Sequence, residues 1–283
     1  MSQTKKFIID FDSTFTQVEA LDILGEISLS GDPKAKEKLQ AIKDITDKGM
    51  EGSVTFRESL ELRLDILKAN KAQISDLIDA LKKKVSKSFE RNKEFLQENA
   101  DDIFIISNGF KDFIIPIVAD YGIKKENVFA NEFVYDESGK IVDFNRDNPL
   151  SKNNGKAETI KKINLEGDIY VIGDGYTDYE IKASGLANKF YAFTENVHRP
   201  KVASQADHVA PSLDEILYIN KLNTKFSYPK SRIKVLLLEN VHPIGVELLK
   251  EEGYQVEVVS SAMSEEELCE KIQNVSILGI RSK

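Results

Sequence analysis

Two aspartates one residue apart close the first apolar run of the chain, in Phe7-Ile8-Ile9-Asp10-Phe11-Asp12-Ser13-Thr14. Alternate residues of an extended strand share a side, and two carboxylates so placed either repel, with one pKa forced upward, or share a cation. A second pair, Asp174 and Asp178, lies in Gly-Asp-Gly-Tyr-Thr-Asp after another apolar run. There Gly173 and Gly175 permit a tight turn that brings carboxylates inward. Four acids around one crevice call for a hard divalent cation with oxygen ligands and the size preference of Mg²⁺. Ser107 ends a third apolar run, and Asn108-Gly109 follow it, so one hydroxyl and backbone N–H groups are offered to an anion. Lys156 opens a helical pattern, where the helix dipole disfavours a cation, so an anion should compensate it. Taken one at a time, each motif also has a plainer reading: a solvated pair of turn acids, or an ordinary exposed lysine.

The elements that must position these residues follow from periodicity. FIIDF, IFIIS and YVIG read as short, fully buried strands that end in polar residues or glycine. From about Thr16 to Asn99, apolar residues three and four apart within charged stretches predict a largely helical segment. FKDFIIPIVADYG predicts a helix ended by Gly122, and VFANEFVYDESGKIVDF a hairpin of two apolar runs around Ser138-Gly139. A further helix, the strand DIYVIG, a short helix and the strand KFYAFT complete the alternation. The fold class is therefore α/β: a mostly parallel sheet covered on both faces, with a helical insertion near its start and the site beyond the carboxyl ends of the strands.

Periodicity lapses near 221–231, which reads as a linker between a domain at 1–220, carrying the insertion at about 16–99, and a β-α-β-α-β unit at 232–283. Three parallel strands with two crossovers make a small core. Their unfinished edge must pack on the first domain, pair with a second copy of the chain, or stay partly mobile.

The net charge of −8 has the wrong sign for a protein that wraps a phosphate backbone, so no nucleic-acid partner is expected. The single Cys269 excludes an internal disulfide and a Cys-rich zinc site, and His198, His208 and His242 are too scattered to form one; the cytosol is the expected compartment. Asp10 and Asp12 interrupt the apolar start, against a signal peptide, and no stretch approaches the roughly 20 apolar residues of a membrane span. Gly173-Asp-Gly lacks the third glycine of a dinucleotide loop. Asp22, Arg57 and Arg91 read as surface, His198 and His208 as structural or exposed, and Cys269 as a small buried residue.

In that order and on those elements, Asp10-x-Asp12-Ser13-Thr14, Ser107, Lys156 and Gly173-Asp174-Gly175-x-x-Asp178 resemble the four motifs of the haloacid dehalogenase superfamily of phosphatases. Over residues 7–217 the chain resembles, more narrowly, the phosphoserine phosphatases. The resemblance implies a Rossmann-like sheet with a helical cap and a small phosphorylated amino acid as substrate. It implies Asp10 as nucleophile, Asp12 as general acid and base, and Mg²⁺ held by Asp10, the Asp12 backbone carbonyl and Asp174, with Asp178 as ligand or behind one. Ser107, the Gly109 N–H and Lys156 would hold phosphoryl oxygens. Asn108 stands where that family commonly has a second glycine, so its side chain would crowd the substrate or add a hydrogen bond to it.

In the insertion, at about 100° per residue, Arg63 falls inside the apolar stripe of Phe56, Leu60, Leu64 and Leu67. There it either snorkels at the edge of a packed helix or points into the site. The resemblance assigns it to the substrate carboxylate, Glu19 to the ammonium, and Met50 and Phe56 to an apolar wall. A related phosphatase for another small phosphomonoester is the alternative. The segment 232–283 resembles the first fifty or so residues of D-3-phosphoglycerate dehydrogenases, which implies the phosphatase half of a truncated fusion.

Overall fold

Phe7, Ile8 and Ile9 are buried on both faces, as a strand with parallel neighbours on either side must be. The computed structural model describes residues 4–50, 53–225 and 228–281, the side chains of Asp47 and Met50 apart. Those residues form two compact units that divide between Ala210 and Pro211.

In the first unit, β1 (Lys5–Ile9), β2 (Ile103–Phe110), β3 (Val128–Asn131), β6 (Asp168–Gly173), β7 (Lys189–Phe193) and β8 (His208–Ala210) form one parallel sheet, ordered β3-β2-β1-β6-β7-β8. Ile9 pairs with Ile105 on one side and with Ile172 on the other. That register brings the ends of β1 and β6, and with them Asp10 and Asp174, to one rim, beside the stretch of β2 from Ile106 to Phe110 where its register shifts and which holds Ser107. Ile8, Ile106, Val171, Phe190 and Ile160 belong to the apolar cluster that holds the sheet against its helices.

The insertion supplies α1 (Ala20–Ser28), α2 (Ala35–Met50), α3 (Phe56–Leu67), α4 (Lys71–Lys82), α5 (Lys87–Arg91) and α6 (Lys93–Glu98). Its outgoing and returning strands are stitched together. Gln17 N–H donates to Lys84 O (2.7 Å), Ser86 N–H to Phe15 O (2.9 Å), and Gln17 Nε2 to Val85 O (2.7 Å). The helices α7 (Lys111–Val118), α8 (Gly155–Ile163), α9 (Tyr176–Ala183) and α10 (Pro200–Ala203) alternate with the strands. Gly122, with φ +81°, ends the turn that extends α7, as its sequence position predicts.

One element differs from the sequence reading. The first apolar run of the expected hairpin is divided at Glu132: its first half is β3, paired parallel with β2, and only β4 (Phe133–Tyr135) and β5 (Ile141–Phe144) form the hairpin. Both halves have strand patterning, and only the long-range partner of the first half separates them.

The second unit contains α11 (Leu213–Ile219) and then β9 (Lys234–Leu237), α12 (Pro243–Glu251), β10 (Gln255–Val258), α13 (Glu265–Lys271) and β11 (Ile277–Gly279). Its parallel sheet is ordered β10-β9-β11, with Val235, Leu236 and Leu237 of the central strand buried. Cys269 is exposed, not buried as expected, because α13 turns it away from this small core. Among the described residues no helix is long and apolar enough to cross a membrane.

Candidate active site

The chain leaves β1 through a single wide turn, Phe11–Phe15, in which Thr16 N–H reaches back to Phe11 O (2.9 Å) and Ser13 adopts φ 55°. The turn is anchored by apolar side chains, Phe11 and Phe15 being fully buried and their rings stacked. It separates the two acids. Asp10 stays at the strand end, its N–H on Ile172 O (3.0 Å) and its Oδ1 accepting from Phe11 N–H (2.7 Å). Asp12 is turned toward the insertion, where its Oδ1 accepts from Ala20 N–H (2.7 Å) at the start of α1.

Asp174 and Asp178 arrive from β6 and α9, and both are buried. A Cβ on Gly173 would stand 2.2 Å from Asp178 Cγ, so only glycine lets that carboxylate fold back over the strand end. Asp178 Oδ2 then accepts from Gly175 N–H (3.1 Å) and caps α9. Lys156, at 2% exposure, lies between the acids, with Nζ 2.9 Å from Asp10 Oδ2 and 2.7 Å from Asp178 Oδ1. The anions that its place at a helix start requires are thus found.

Burial pushes the Asp174 carboxyl up to about 8, although the Arg199 guanidinium pulls it down. Asp178 is also raised by burial, against the pull of Lys156. Asp12 is held well above the ordinary carboxylate range by burial, then by the neighbouring charges of Glu19 and Asp10, while the Ala20 N–H opposes the shift. Burial disfavours the charged ammonium of Lys156, but Asp10 and Asp178 outweigh that and raise its pKa.

One carboxylate oxygen each from Asp10, Asp174 and Asp178 lie within 4.8 Å of one another. An all-oxygen set of three acids fits a hard divalent cation and suits no soft metal. The Asp12 carboxylate stands outside the set, so any part for Asp12 in holding an ion falls to its backbone carbonyl.

The phosphoryl-binding candidates fall on the same rim. A Cβ on Gly109 would meet Asp12 Oδ2 at 3.1 Å and Ser107 Oγ at 3.3 Å, so β2 delivers Ser107 and Gly109 beside Asp12. Ser107 is fully buried and its Oγ accepts from Gly109 N–H (3.0 Å). The Asn108 side chain has a partner within the chain. Its Nδ2 donates to Leu150 O (2.8 Å), which ties it to the loop leading to Lys156.

In the insertion, Arg63 is buried in α3, its Nε on Ser59 O (3.2 Å). Burial lowers its pKa, and Glu19, Asp22 and Asp12 pull it back up, so the guanidinium lies within electrostatic reach of all three. Glu19 is held beside the Asp12 turn by Ser13 Oγ (2.7 Å). Asp22 is half-buried with Oδ1 enclosed, not a surface residue, because the first turn of α1 begins directly behind Asp12. Arg57 is likewise no free surface group: its Nη2 donates to Arg146 O (2.6 Å) and Ser151 Oγ (3.1 Å). Arg91 is half-buried. Phe56 opens α3 with its N–H on Asn153 Oδ1 (3.2 Å), a residue of the loop leading to Lys156. The Met50 side chain lies outside the described residues.

Three functional candidates escaped the sequence reading, all on the segment after β7. Arg199 pairs with Asp174 Oδ2. Asn196 Nδ2 donates to Ser13 O (3.1 Å) and Ser86 Oγ (2.7 Å), and the Glu195 carboxylate accepts from Ser88 N–H (2.9 Å). Their signal was positional, since they follow a strand at the edge where a parallel sheet keeps its site.

The family model of haloacid dehalogenase-like hydrolases matches residues 7–181. The chain belongs to that family. A phosphoserine phosphatase of Drosophila melanogaster is 32% identical to this hydrolase over 221 residues, 77% of this chain and 78% of the relative. A solved phosphoserine phosphohydrolase-like protein from Francisella tularensis is 31% identical, with a TM-score of 0.68 over 76% of this chain and 99% of that one. A different relative, D-3-phosphoglycerate dehydrogenase of Dictyostelium discoideum, is 49% identical over 57 residues, 20% of this chain and 14% of the relative's length.

Proposed function

We propose that the first unit hydrolyses O-phospho-L-serine to L-serine and phosphate, a step of serine biosynthesis, through an aspartyl-phosphate on Asp10. The observation that carries the substrate assignment is the buried Arg63 within electrostatic reach of Glu19 and Asp12. A phosphorylated amino acid presents a carboxylate and an ammonium beside its ester. Arg63 takes the first as a bidentate cation, and Glu19, held by Ser13, takes the second. A sugar phosphate needs neither group.

The Asp10 carboxylate attacks phosphorus, the bond from phosphorus to the serine oxygen breaks, and Asp12 gives its proton to the departing oxygen. The environment that holds Asp12 above the ordinary carboxylate range suits it to that donation. Asp12 then takes a proton from the water that attacks phosphorus, the bond to Asp10 breaks, and phosphate leaves. Ser107, the Gly109 N–H and Lys156 hold the phosphoryl oxygens. Asp10, the Asp12 carbonyl, Asp174 and Asp178 would hold Mg²⁺, which when bound neutralises the repulsion between nucleophile and phosphate.

Turnover of O-phospho-L-serine beside a panel of small phosphate esters tests the reading. A clear preference in kcat/KM for phosphoserine is expected; equal turnover across the panel would leave a general phosphatase.

A further inference from the structure

Both oxygens of the Asp174 carboxylate are engaged by groups of this chain. Thr14 Oγ1 donates to Oδ1 (3.1 Å), and the Arg199 guanidinium is paired with Oδ2. A divalent ion that joins Asp10, Asp174 and Asp178 therefore meets a cation already on Asp174. Lys156, the other resident cation, is fixed from two sides by Asp10 and Asp178 and is almost without exposure. Arg199 differs: its side chain is 27% exposed, so its guanidinium has water to move into.

Its backbone has no such freedom. Asn196 and Glu195 fix the preceding residues to the Asp10 turn and to the base of α5, and Arg199 O accepts from Val202 N–H (3.0 Å) and Ala203 N–H (2.9 Å) at the start of α10. Release of Asp174 is thus a side-chain swing and needs no loop rearrangement. Three carboxylates this close also repel one another when nothing neutralises them, and Arg199 together with Lys156 supplies that neutralisation.

We propose that Arg199 is a counter-cation that a divalent ion must displace from Asp174, so that this residue sets the affinity of the site for the ion and keeps the ion-free cluster together. The proposal rests on reading the three acids as an ion site.

The test is Mg²⁺ binding to the full chain by titration calorimetry, for the wild type, Arg199→Gln and Arg199→Lys, with melting temperatures measured at zero and saturating Mg²⁺. The Gln variant is expected to bind Mg²⁺ roughly tenfold tighter, the equivalent of about 1.4 kcal/mol, and Lys to restore most of the wild-type weakness. Without Mg²⁺ the Gln variant should melt below the wild type, and saturating Mg²⁺ should close that gap. Unchanged or weaker binding by Arg199→Gln, with wild-type binding intact, would overturn the competition and leave Arg199 as a clamp on α10. Absence of Mg²⁺ binding by the wild type would overturn the ion-site reading itself, and the proposal with it.

Discussion

Asp10 and Asp12 are two positions apart and are put to different uses by what surrounds them. Asp10 remains at the strand end, 2.9 Å from Lys156 Nζ. Asp12, carried off by the wide turn, is buried beside Glu19, which favours the proton. Asp10→Asn is therefore expected to abolish turnover with an unchanged circular dichroism spectrum, and Asp12→Asn to lose about 10²-fold or more because both proton transfers go. Retention of a tenth of wild-type activity by the Asp10 variant would argue against a covalent intermediate. Arg63→Ala should cost about 2 to 5 kcal/mol in kcat/KM on phosphoserine, the range for losing one partner of a desolvated charge pair. The loss should be small on an aryl phosphate, which has no carboxylate to offer; equal losses would assign Arg63 to packing. The grouping of the motif acids with Ser107 and Lys156 was legible because each follows an apolar run or opens a helix, and the burial of Arg63 because helical periodicity places it in the apolar stripe. Arg199 and the Asn108 amide were not, since the first is defined by a carboxylate on another strand and the second by the Leu150 carbonyl, 42 positions away.

Strands and helices were legible wherever burial pattern and stop signals agreed, as in β1 and in the stretch ended by Gly122. The division of 128–135 into a sheet strand and a hairpin strand was not, because alternation reports that a residue is in a strand and is silent on which strand lies beside it. At the same scale, β9, β10 and α13 are tied by one acid: Glu257 lies 2.8 Å from Lys234 Nζ and 2.5 Å from Lys271 Nζ. Hydrogen bonds from the two lysines hold its pKa down, from 4.5 to about 2. A carboxylate depressed in the folded state stabilises the fold above its unfolded pKa, and that contribution is lost as pH falls from about 4.5 toward about 2. The second unit should accordingly loosen across this window, seen as lower amide-exchange protection in β10 relative to the intrinsic rate at each pH. Glu257→Gln should flatten that dependence, and because the pair is partly exposed, added salt should weaken it in the wild type. An identical acid profile in the variant would mean that the triad contributes nothing measurable.

At the scale of the whole chain, two compact units resemble two different enzymes, and every residue assigned to the site, from Asp10 to Arg199, belongs to the first. That unit has its own six-stranded sheet and its own core. Removal of the β-α-β-α-β segment is therefore expected to spare catalysis, provided the cut respects one ion pair. Glu215 on α11 is buried at 3% exposure and is held by Arg232 through Nε to Oε2 (2.8 Å) and Nη2 to Oε1 (2.6 Å). Arg232 also lies over the Tyr218 ring, 4.9 Å from its centroid. A chain ended before Arg232 would strip this bidentate partner from a buried carboxylate, which is strongly destabilising; a chain ended after Ile233 keeps it. The longer truncate should turn over phosphoserine within a factor of a few of the full chain. The shorter one, ended after Pro229, should melt several degrees lower, at the roughly 2 to 4 °C that each kcal/mol costs a domain of this size, while its KM stays the same. Loss of turnover in the longer truncate with its melting transition intact would place part of the catalytic requirement in the segment that was removed.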